Sequence, residues 1–397
     1  MLLKKASVPW LKKENIKMKI YIIAGENSGD FIGGLLIKAL KLEGKERFGE
    51  IQFHGVGGQQ MELAGLHSLF PLNQINMMGF VEVLPHIFLI NQLINQTIED
   101  ILVCGAHMVI TIDSPGFTFR VAKKIRDIAP HVKLVHIVAP SVWAYKPGRA
   151  KKYAKIYDHM FALLPFEPTY FTEKGMSSIC IGHPVLEQAF YSGSLGLREE
   201  MTINNETKAV AVTPGSRRGE LSRHMPIIRK VFDELSTTHK IQVIFVQSDE
   251  SNIRFISKFL AGAKFSYSFS MDRLKAFAVS DCALAKSGTN TLEIAASGTP
   301  MIVGYKLNPI TFAILKMFIK IKYASLINII PNREIIPEYI QSDFTVENIV
   351  LALSELLSDP KRSKSQVAEA QKVLQSIGLN SSKKPSTVAA KIILSMI

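Results

Sequence analysis

Val212-Thr213-Pro214-Gly215-Ser216-Arg217-Arg218-Gly219-Glu220 joins the apolar strand pattern Ala209–Val212 to a helical pattern that begins at Glu220. N–H groups at a helix start have no partner within the helix, and the helix dipole favours anions there. Arg217 and Arg218 add forked, charged donors suited to phosphate oxygens. The plan recurs after the strand pattern Cys282–Ala285, where Ser287-Gly-Thr-Asn-Thr-Leu-Glu293 places a carboxylate one helical turn in. A phosphate site beside a carboxylate for ribose hydroxyls describes a nucleotide-sugar pocket. Either segment alone also reads as an ordinary capped turn.

Outward from these turns, short apolar strands alternate with helical periodicity. The front half shows strands at Ile20–Ala24, Ile51–Val56, Met108–Ile112, Leu134–Val138, His159–Leu163 and Ile179–Ile181, with helices over Gly29–Leu42, Asn76–Val103 and Phe119–Ile128. The rear half shows strands at Ala209–Thr213, Gln242–Val246, Cys282–Ala285 and Met301–Tyr305, and turns helical after Phe344. Such alternation predicts parallel, doubly wound sheets with ligands at the carboxyl ends of the strands. The polar stretch Ser192–Lys208 reads as a linker. The expected fold is therefore α/β, two Rossmann-like doubly wound domains (18–191 and 209–397) facing a cleft. Residues 1–17, ahead of Met18, read as a tail or an over-called start and are expected to carry no chemistry.

A length of 397 residues exceeds what one core usually supports, and 47% hydrophobic residues exclude a disordered chain. The formal net charge of +13 points to an anionic partner: phosphorylated substrate, acidic lipid or nucleic acid. Against nucleic acid, the cations are not interleaved with aromatics on one evident face. Cys104, Cys180 and Cys282 lie far apart beside apolar runs and read as buried free thiols of a reducing compartment. No apolar run is long enough to span a bilayer, and the N-terminus lacks a signal-peptide pattern.

Four further segments carry candidate chemistry. Ala24-Gly-Glu-Asn-Ser-Gly-Asp30 opens a helix after the first strand; Gly25 and Ser28 allow close approach, while Glu26 and Asp30 bind sugar hydroxyls or, for Asp30, cap a helix. Asp113, in Thr111-Ile-Asp-Ser-Pro115, ends a strand and is placed for general-base work or for a loop hydrogen bond. In Val138–Arg149, Ser141, Trp143 and Tyr145 offer sugar contacts and Lys146 or Arg149 a phosphate contact, although aromatics near strand ends are as often core. His136 and His183 read more readily as structural. Finally, Met77–Ile90 and Pro309–Ile330, the latter with Lys316, Lys320 and Lys322, read either as core helices or as surfaces lying in a membrane interface. Acidic lipid attracts such a surface by about 1 kcal/mol per near-surface cation.

In chain order, AGENSGD (24–30), GVGGQQM (55–61), MMGFVEVLP (77–85), IDSPGF (112–117), APSVWAYKPGR (139–149), LLPFEP (163–168), GHP (182–184), PGSRRGE (214–220), SGTNTLE (287–293), GTPMIVGYK (298–306) and SLINIIPNREIIPEYIQ (325–341) resemble the lipid-A-disaccharide synthases. These are inverting glycosyltransferases of the two-Rossmann-domain, GT-B type. The resemblance runs from Met18 into the last third. It implies transfer of diacylglucosamine from UDP-diacylglucosamine to diacylglucosamine 1-phosphate, with a β-1,6 link and release of UDP, at the cytoplasmic face of an inner membrane whose anionic surface is a partner. The fixed donors at Ser216–Glu220 can replace a metal and the sequence shows no cluster of ligating residues, so no cofactor and no metal are expected; a homodimer is allowed.

By the same resemblance Asp113 is the base and Arg217 holds the donor diphosphate. Ser216, Arg218, Ser287, Gly288, Thr289, Glu293, Asn328, Arg333 and Glu334 join Gly25, Glu26, Ser28, Asp30, Ser141 and Trp143 as substrate contacts. Phe80, Val81, Val83, Leu84 and Phe88 match the apolar patch credited with acyl or membrane contact. Three positions depart from the pattern: Gly116 stands where many members have a second Asp, Ala139 where many have Ser, and Tyr145 where many have Trp. The first departure removes a rival base and puts acceptor contacts in doubt. The competing readings are an epimerase of the same fold, a transferase acting on another lipid acceptor, and a nucleic-acid-binding or scaffold protein without turnover.

Overall fold

The computed structural model describes residues 18–76, 87–191, 195–247, 249–309, 311–313 and 321–397. Two parallel sheets organise them. The first has seven strands: β1 (Met18–Ala24), β2 (Ile51–Val56), β3 (Leu66–Ser68), β4 (Met108–Ile112), β5 (Lys133–Ile137), β6 (His159–Ala162) and β7 (Ser177–Cys180), in the order β3-β2-β1-β4-β5-β6-β7. The second has six: β8 (Lys208–Thr213), β9 (Ile241–Val246), β10 (Ser266–Ser270), β11 (Cys282–Ala285), β12 (Met301–Tyr305) and β13 (Glu338–Ile340), in the order β10-β9-β8-β11-β12-β13. Each sheet therefore winds outward in both directions from one central pair, β1/β4 in the first and β8/β11 in the second. The expected α/β fold with two doubly wound sheets is present.

The chain divides into two compact units. One comprises the residues up to Val138 with Ile156–His159 and Ser386–Ile397; the other comprises Ala139–Lys155 and Met160–Pro385. The first contains β1–β5, the second β8–β13. The last helix, Pro385–Ser395, returns the chain to the first unit. There the Leu394 carbonyl accepts from Arg47 Nη1 at 2.9 Å, and Lys391 pairs with Glu43.

Central strands form because both faces are covered, so the run can be apolar throughout. In β1, Ile20, Tyr21, Ile22, Ile23 and Ala24 are wholly buried. In β8 the pleat sends Val210 and Val212 into one layer, with Leu221, Phe232 and Phe245, and Ala211 into the other, with Phe277, Leu292 and Ile327. Burying each large side chain contributes about 1.5–3 kcal/mol.

The stretch read as a linker is partly folded. Helix Leu195–Glu200 lies within it, and buried Arg198 donates to the carbonyls of Val279, Asn204 and Thr207 and pairs with Asp281. The long helix expected over Asn76–Val103 is described as Ile87–Cys104, the residues before it lying outside the described set. The apolar positions Phe80, Val81, Val83 and Leu84, and Lys316 and Lys320, also lie outside it; Phe88 is 86% exposed. Of the thiols, Cys282 is buried, while Cys104 and Cys180 are only partly so, and all three are free.

Candidate active site

In the first unit β1 and β4 run side by side, with Ala24 opposite Ile112. The chain leaves β1 toward one edge and β4 toward the other. A crevice at such a switch point, beyond the carboxyl ends, is where doubly wound sheets take ligands. Gly25–Asp30 and Asp113–Phe117 therefore meet there. Their contact is so close that a Cβ on Gly25 would lie 2.4 Å from Ser114 Cβ. Glu26, Asn27 and Ser28 are exposed at the start of helix Asn27–Phe48.

The end of β4 is strained. Asp113 and Ser114 have φ of 49° and 48°, and Val138, just past the neighbouring β5, has φ of 75°. A β-branched residue at positive φ is a genuine outlier, and each such residue costs about 1–3 kcal/mol. Hydrogen bonds hold the bend: Asp113 N donates to the Ile137 carbonyl at 3.0 Å, Thr118 Oγ1 to the Asp113 carbonyl at 2.6 Å, and Ser114 N to Asp113 Oδ1 at 2.7 Å. The carboxylate of Asp113 is thereby fixed at the mouth of the switch point, half-buried.

This packing makes a prediction. Gly25→Ala overpacks the contact with Ser114 and costs about 1–3 kcal/mol. Ser114→Gly in the same chain restores stability, because it removes the atoms the new methyl meets and suits the left-handed φ. Urea melts of the single and double variants check this; a double variant no more stable than Gly25→Ala would refute it.

Asp30 differs from its expected role. Its carboxylate is 6% exposed and accepts from the N–H groups of Gly58, Gln60 and Met61 at 2.8, 3.0 and 3.0 Å. It caps helix Gln59–Leu63, not its own, and lies beneath the loop instead of facing a sugar. His136 is buried against Thr111 Oγ1 at 2.7 Å, a structural residue.

In the second unit the switch point lies between β8 and β11, and the two turns that opened the sequence reading flank it. They are sewn together. Lys286 N donates to Thr213 O and Oγ1 at 3.2 and 3.1 Å, and Asn290 Nδ2 to Thr213 Oγ1 at 2.6 Å. Gly215, at φ 122°, lets the first turn bend back over Glu220; a Cβ there would lie 2.8 Å from Glu220 Oε2. That oxygen accepts from Ser216 N at 3.3 Å and Arg217 N at 3.5 Å. Lys286 Nζ reaches both Glu220 oxygens at 3.0 and 3.1 Å, and Tyr305 OH donates at 3.1 Å. Burial opposes the charge on Glu220, but Lys286, Tyr305 and the Arg217 N–H together hold its carboxyl below the usual range.

The expected phosphate donors are thus redistributed. The N–H groups of Ser216 and Arg217 face a carboxylate of the protein itself. Arg218 is committed elsewhere: its guanidinium lies 4.5 Å over the Phe255 ring and donates to Ser251 O at 3.0 Å. Arg217 is exposed, and its charge, with that of Arg223, acts on Tyr305, whose hydroxyl burial and Glu220 push up to about 12. Ser287 Oγ donates to the Ala324 carbonyl at 2.8 Å, while Gly288 and Thr289 are exposed on the second turn. Glu293 is 5% exposed, and its Oε1 accepts from Arg273 Nε at 2.8 Å and Gln188 Nε2 at 3.1 Å.

Asn328 is not a surface contact. Wholly buried, it accepts from Ile335 N and Ile336 N at 2.7 and 3.0 Å and donates to the Ile336 carbonyl and Glu338, so its amide is spent on the loop that follows. Arg333, paired with Glu369, and Glu334 line a polar cavity of about 320 Å3 with Arg362 and Gln366.

Also in this unit, Trp143 Nε1 donates to Glu167 Oε1 at 3.1 Å, and its ring meets Phe166 edge-on at 5.3 Å. Glu167 Oε2 accepts from Leu163 N and Leu164 N at 3.1 and 3.0 Å. Glu167 thus clasps APSVWAYKPGR to LLPFEP. Ser141 is exposed, with its carbonyl accepting from Ala144 N and Tyr145 N.

Burial raises Glu167 to about 7, against its three hydrogen bonds, and lowers His183 to about 4. Between the ordinary carboxyl value of 4.5 and about 7 the folded chain keeps a proton on Glu167 that the unfolded chain has lost, so this contribution to stability falls as pH rises through that window. His183 works oppositely: its contribution grows as pH rises from about 4 to 6.5. Glu167→Gln removes only the first effect. The loss of Tm between pH 5 and pH 8 should therefore be smaller in Glu167→Gln than in the parent; equal changes would show that Glu167 does not titrate in this range.

Residues 20–392 match the family described as lipid-A-disaccharide synthetase. The chain belongs to the lipid-A-disaccharide synthetase family. Among its relatives, the lipid-A-disaccharide synthase of Rickettsia bellii is 55% identical over 380 residues, covering 94% of this chain and 98% of the relative. Solved structures share the fold at low identity. The UDP-GlcNAc 2-epimerase of Neisseria meningitidis, bound to UDP-GlcNAc, gives a TM-score of 0.62 at 13% identity, covering 96% of this chain and 99% of the other. A glycosyltransferase from Rickettsia africae gives 0.58 at 14%, with the same coverages. Membership makes the chain a glycosyltransferase, an enzyme class that works on a nucleotide-sugar donor and an acceptor. Lys286, Glu220 and Glu167 were not singled out as site residues in the sequence, since the Lys286–Glu220 and Trp143–Glu167 contacts join positions 66 and 24 residues apart.

Proposed function

We propose that this chain joins a UDP-linked diacylglucosamine to diacylglucosamine 1-phosphate, forming the β-1,6-linked lipid A disaccharide 1-phosphate and releasing UDP. The observation that carries this reading is the pairing of motif loops at both switch points: Gly25–Ser28 with Asp113 in the first sheet, and Ser216–Arg217 with Ser287–Glu293 in the second. In this reading residues 18–191 take the acceptor and 209–397 the UDP-sugar.

The acceptor's 6-hydroxyl oxygen attacks the donor's anomeric carbon from the face opposite UDP. As that bond forms, the hydroxyl proton passes to Asp113, and the bond from the anomeric carbon to the diphosphate breaks with its electrons going to UDP. Arg217 stabilises the charge that grows on the diphosphate. Glu293 takes the ribose hydroxyls through the carboxylate oxygen that Arg273 and Gln188 leave uncovered.

No helix among the described residues is long and apolar enough to cross a membrane. Contact with the acyl chains is assigned to the surface that includes exposed Phe88, with the net charge of +13 drawing the enzyme to anionic lipid on the cytoplasmic face.

Mass spectrometry of products from the two diacylated substrates tests the reading. The disaccharide 1-phosphate is expected. Conversion of the UDP-sugar to an epimer, with the acceptor untouched, would favour the epimerase reading instead.

A further inference from the structure

We propose that the Glu220–Lys286 pair is a built-in counter-anion lock that holds the Pro214–Arg217 turn in its donor-binding shape, so that both residues are positioning residues for donor affinity. The inference rests on the reading of this turn as the diphosphate site. Glu220 is 4% exposed, yet it bonds to two N–H groups of the turn, to both contacts with Lys286 Nζ and to Tyr305 OH. The turn's carbonyls are fixed as well, Gly215 O by Gln247 Nε2 at 2.8 Å and Ser216 O by Asn252 Nδ2 at 2.9 Å.

An anion site must keep its cations close together when no anion is present. Lys286 Nζ lies 5.7 Å from the centre of the Tyr305 ring, and the charges of Arg217 and Arg223 act on the same hydroxyl, so the three cations repel one another. Glu220 supplies the missing negative charge from beneath and occupies the inner N–H groups, leaving Arg217 outward. Lys286 in turn neutralises a carboxylate that burial alone would discharge. Because Lys286 leads into Ser287–Glu293, the same pair ties the ribose turn to the phosphate turn. The donor then meets a formed cradle and spends little binding energy on ordering it.

The sign of one substitution separates this lock from plain electrostatics. Glu220→Gln removes a negative charge beside a site for a dianion, so Coulomb's law alone makes UDP bind more tightly. A positioning role makes UDP bind about tenfold more weakly, a change of one decade in Kd. The donor KM should rise equally in Glu220→Gln and Lys286→Met, while the acceptor KM stays within about twofold. The double variant should be no worse than either single, as for two residues that act as one unit. Lys286→Arg, which keeps the charge and the bond, restores donor affinity.

Calorimetric titration with UDP and steady-state kinetics read these effects; thermal melts report folding separately. If the parent itself does not bind UDP, the functional reading fails. If the parent binds and Glu220→Gln binds as well or better, the lock is refuted. Should Lys286→Met not fold, Glu220→Gln and Lys286→Arg carry the same comparison.

Discussion

Asp113→Asn lowers turnover by about 10²–10⁴-fold, the range a general base contributes, while UDP affinity stays within about twofold. The substitution is well suited to isolate the proton transfer. Asp113 sits at φ 49°, in the left-handed region where Asn is enriched, so the strained end of β4 keeps its shape. The amide oxygen still accepts from Ser114 N at the 2.7 Å position now held by Oδ1. The ability to take a proton is lost. A collapsed Tm would mean that the carboxylate is structural, and near-parental turnover would mean that another group takes the proton. Gly116, two residues past Ser114, offers no carboxylate as a substitute.

The second large effect belongs to Arg217. Arg217→Ala is expected to weaken UDP about 10–100-fold and to slow transfer, the cost of losing a charge-assisted, forked contact of roughly 1.5–3 kcal/mol. The size of the effect follows from what surrounds it. The N–H groups of Ser216 and Arg217 are taken by Glu220, and the Arg218 guanidinium is held over Phe255, so neighbours compensate little. Arg217→Lys keeps a point charge and loses the fork, and should fall between the two. Arg218→Ala should leave donor affinity close to the parent's and lower stability through lost packing on helix Glu250–Phe259. Equal losses of UDP affinity in both alanine variants would show that the two arginines share the diphosphate.

Which elements could be read from the sequence follows from where the strands lie. β1, β4, β8 and β11 are central, covered on both faces, and appear as unbroken apolar runs. β3 and β10 are edge strands, and β13 closes the other end of its sheet. Ser-Tyr-Ser-Phe-Ser in β10 and three residues each in β3 and β13 carry too little apolar signal to stand out from loops. Helix Leu195–Glu200 was hidden for a related reason: its anchor, Arg198, is buried by bonding carbonyls and Asp281, which no hydrophobic pattern reports.

The site followed the same division. Asp113 and Arg217 were legible because each lies in a turn of recognisable composition that follows a strand. Asp30, Glu167 and Glu220 are acids with partners that only the fold brings near: the N–H groups of Gly58, Gln60 and Met61 for Asp30, Trp143 for Glu167 and Lys286 for Glu220. From sequence, an acid that will cap a distant helix looks the same as one that will touch a sugar. Asn328 shows the converse error: a polar residue in a matching motif that proves wholly buried, holding its own loop.

Release of UDP, followed with and without the diacylated sugar phosphate, tests most directly the claim that this chain transfers a sugar from a UDP-linked donor to an acceptor hydroxyl. UDP should appear one-for-one with disaccharide and only when the acceptor is present. Release at the same rate without acceptor would contradict the account, because the donor would then be broken down with no hydroxyl for Asp113 to deprotonate.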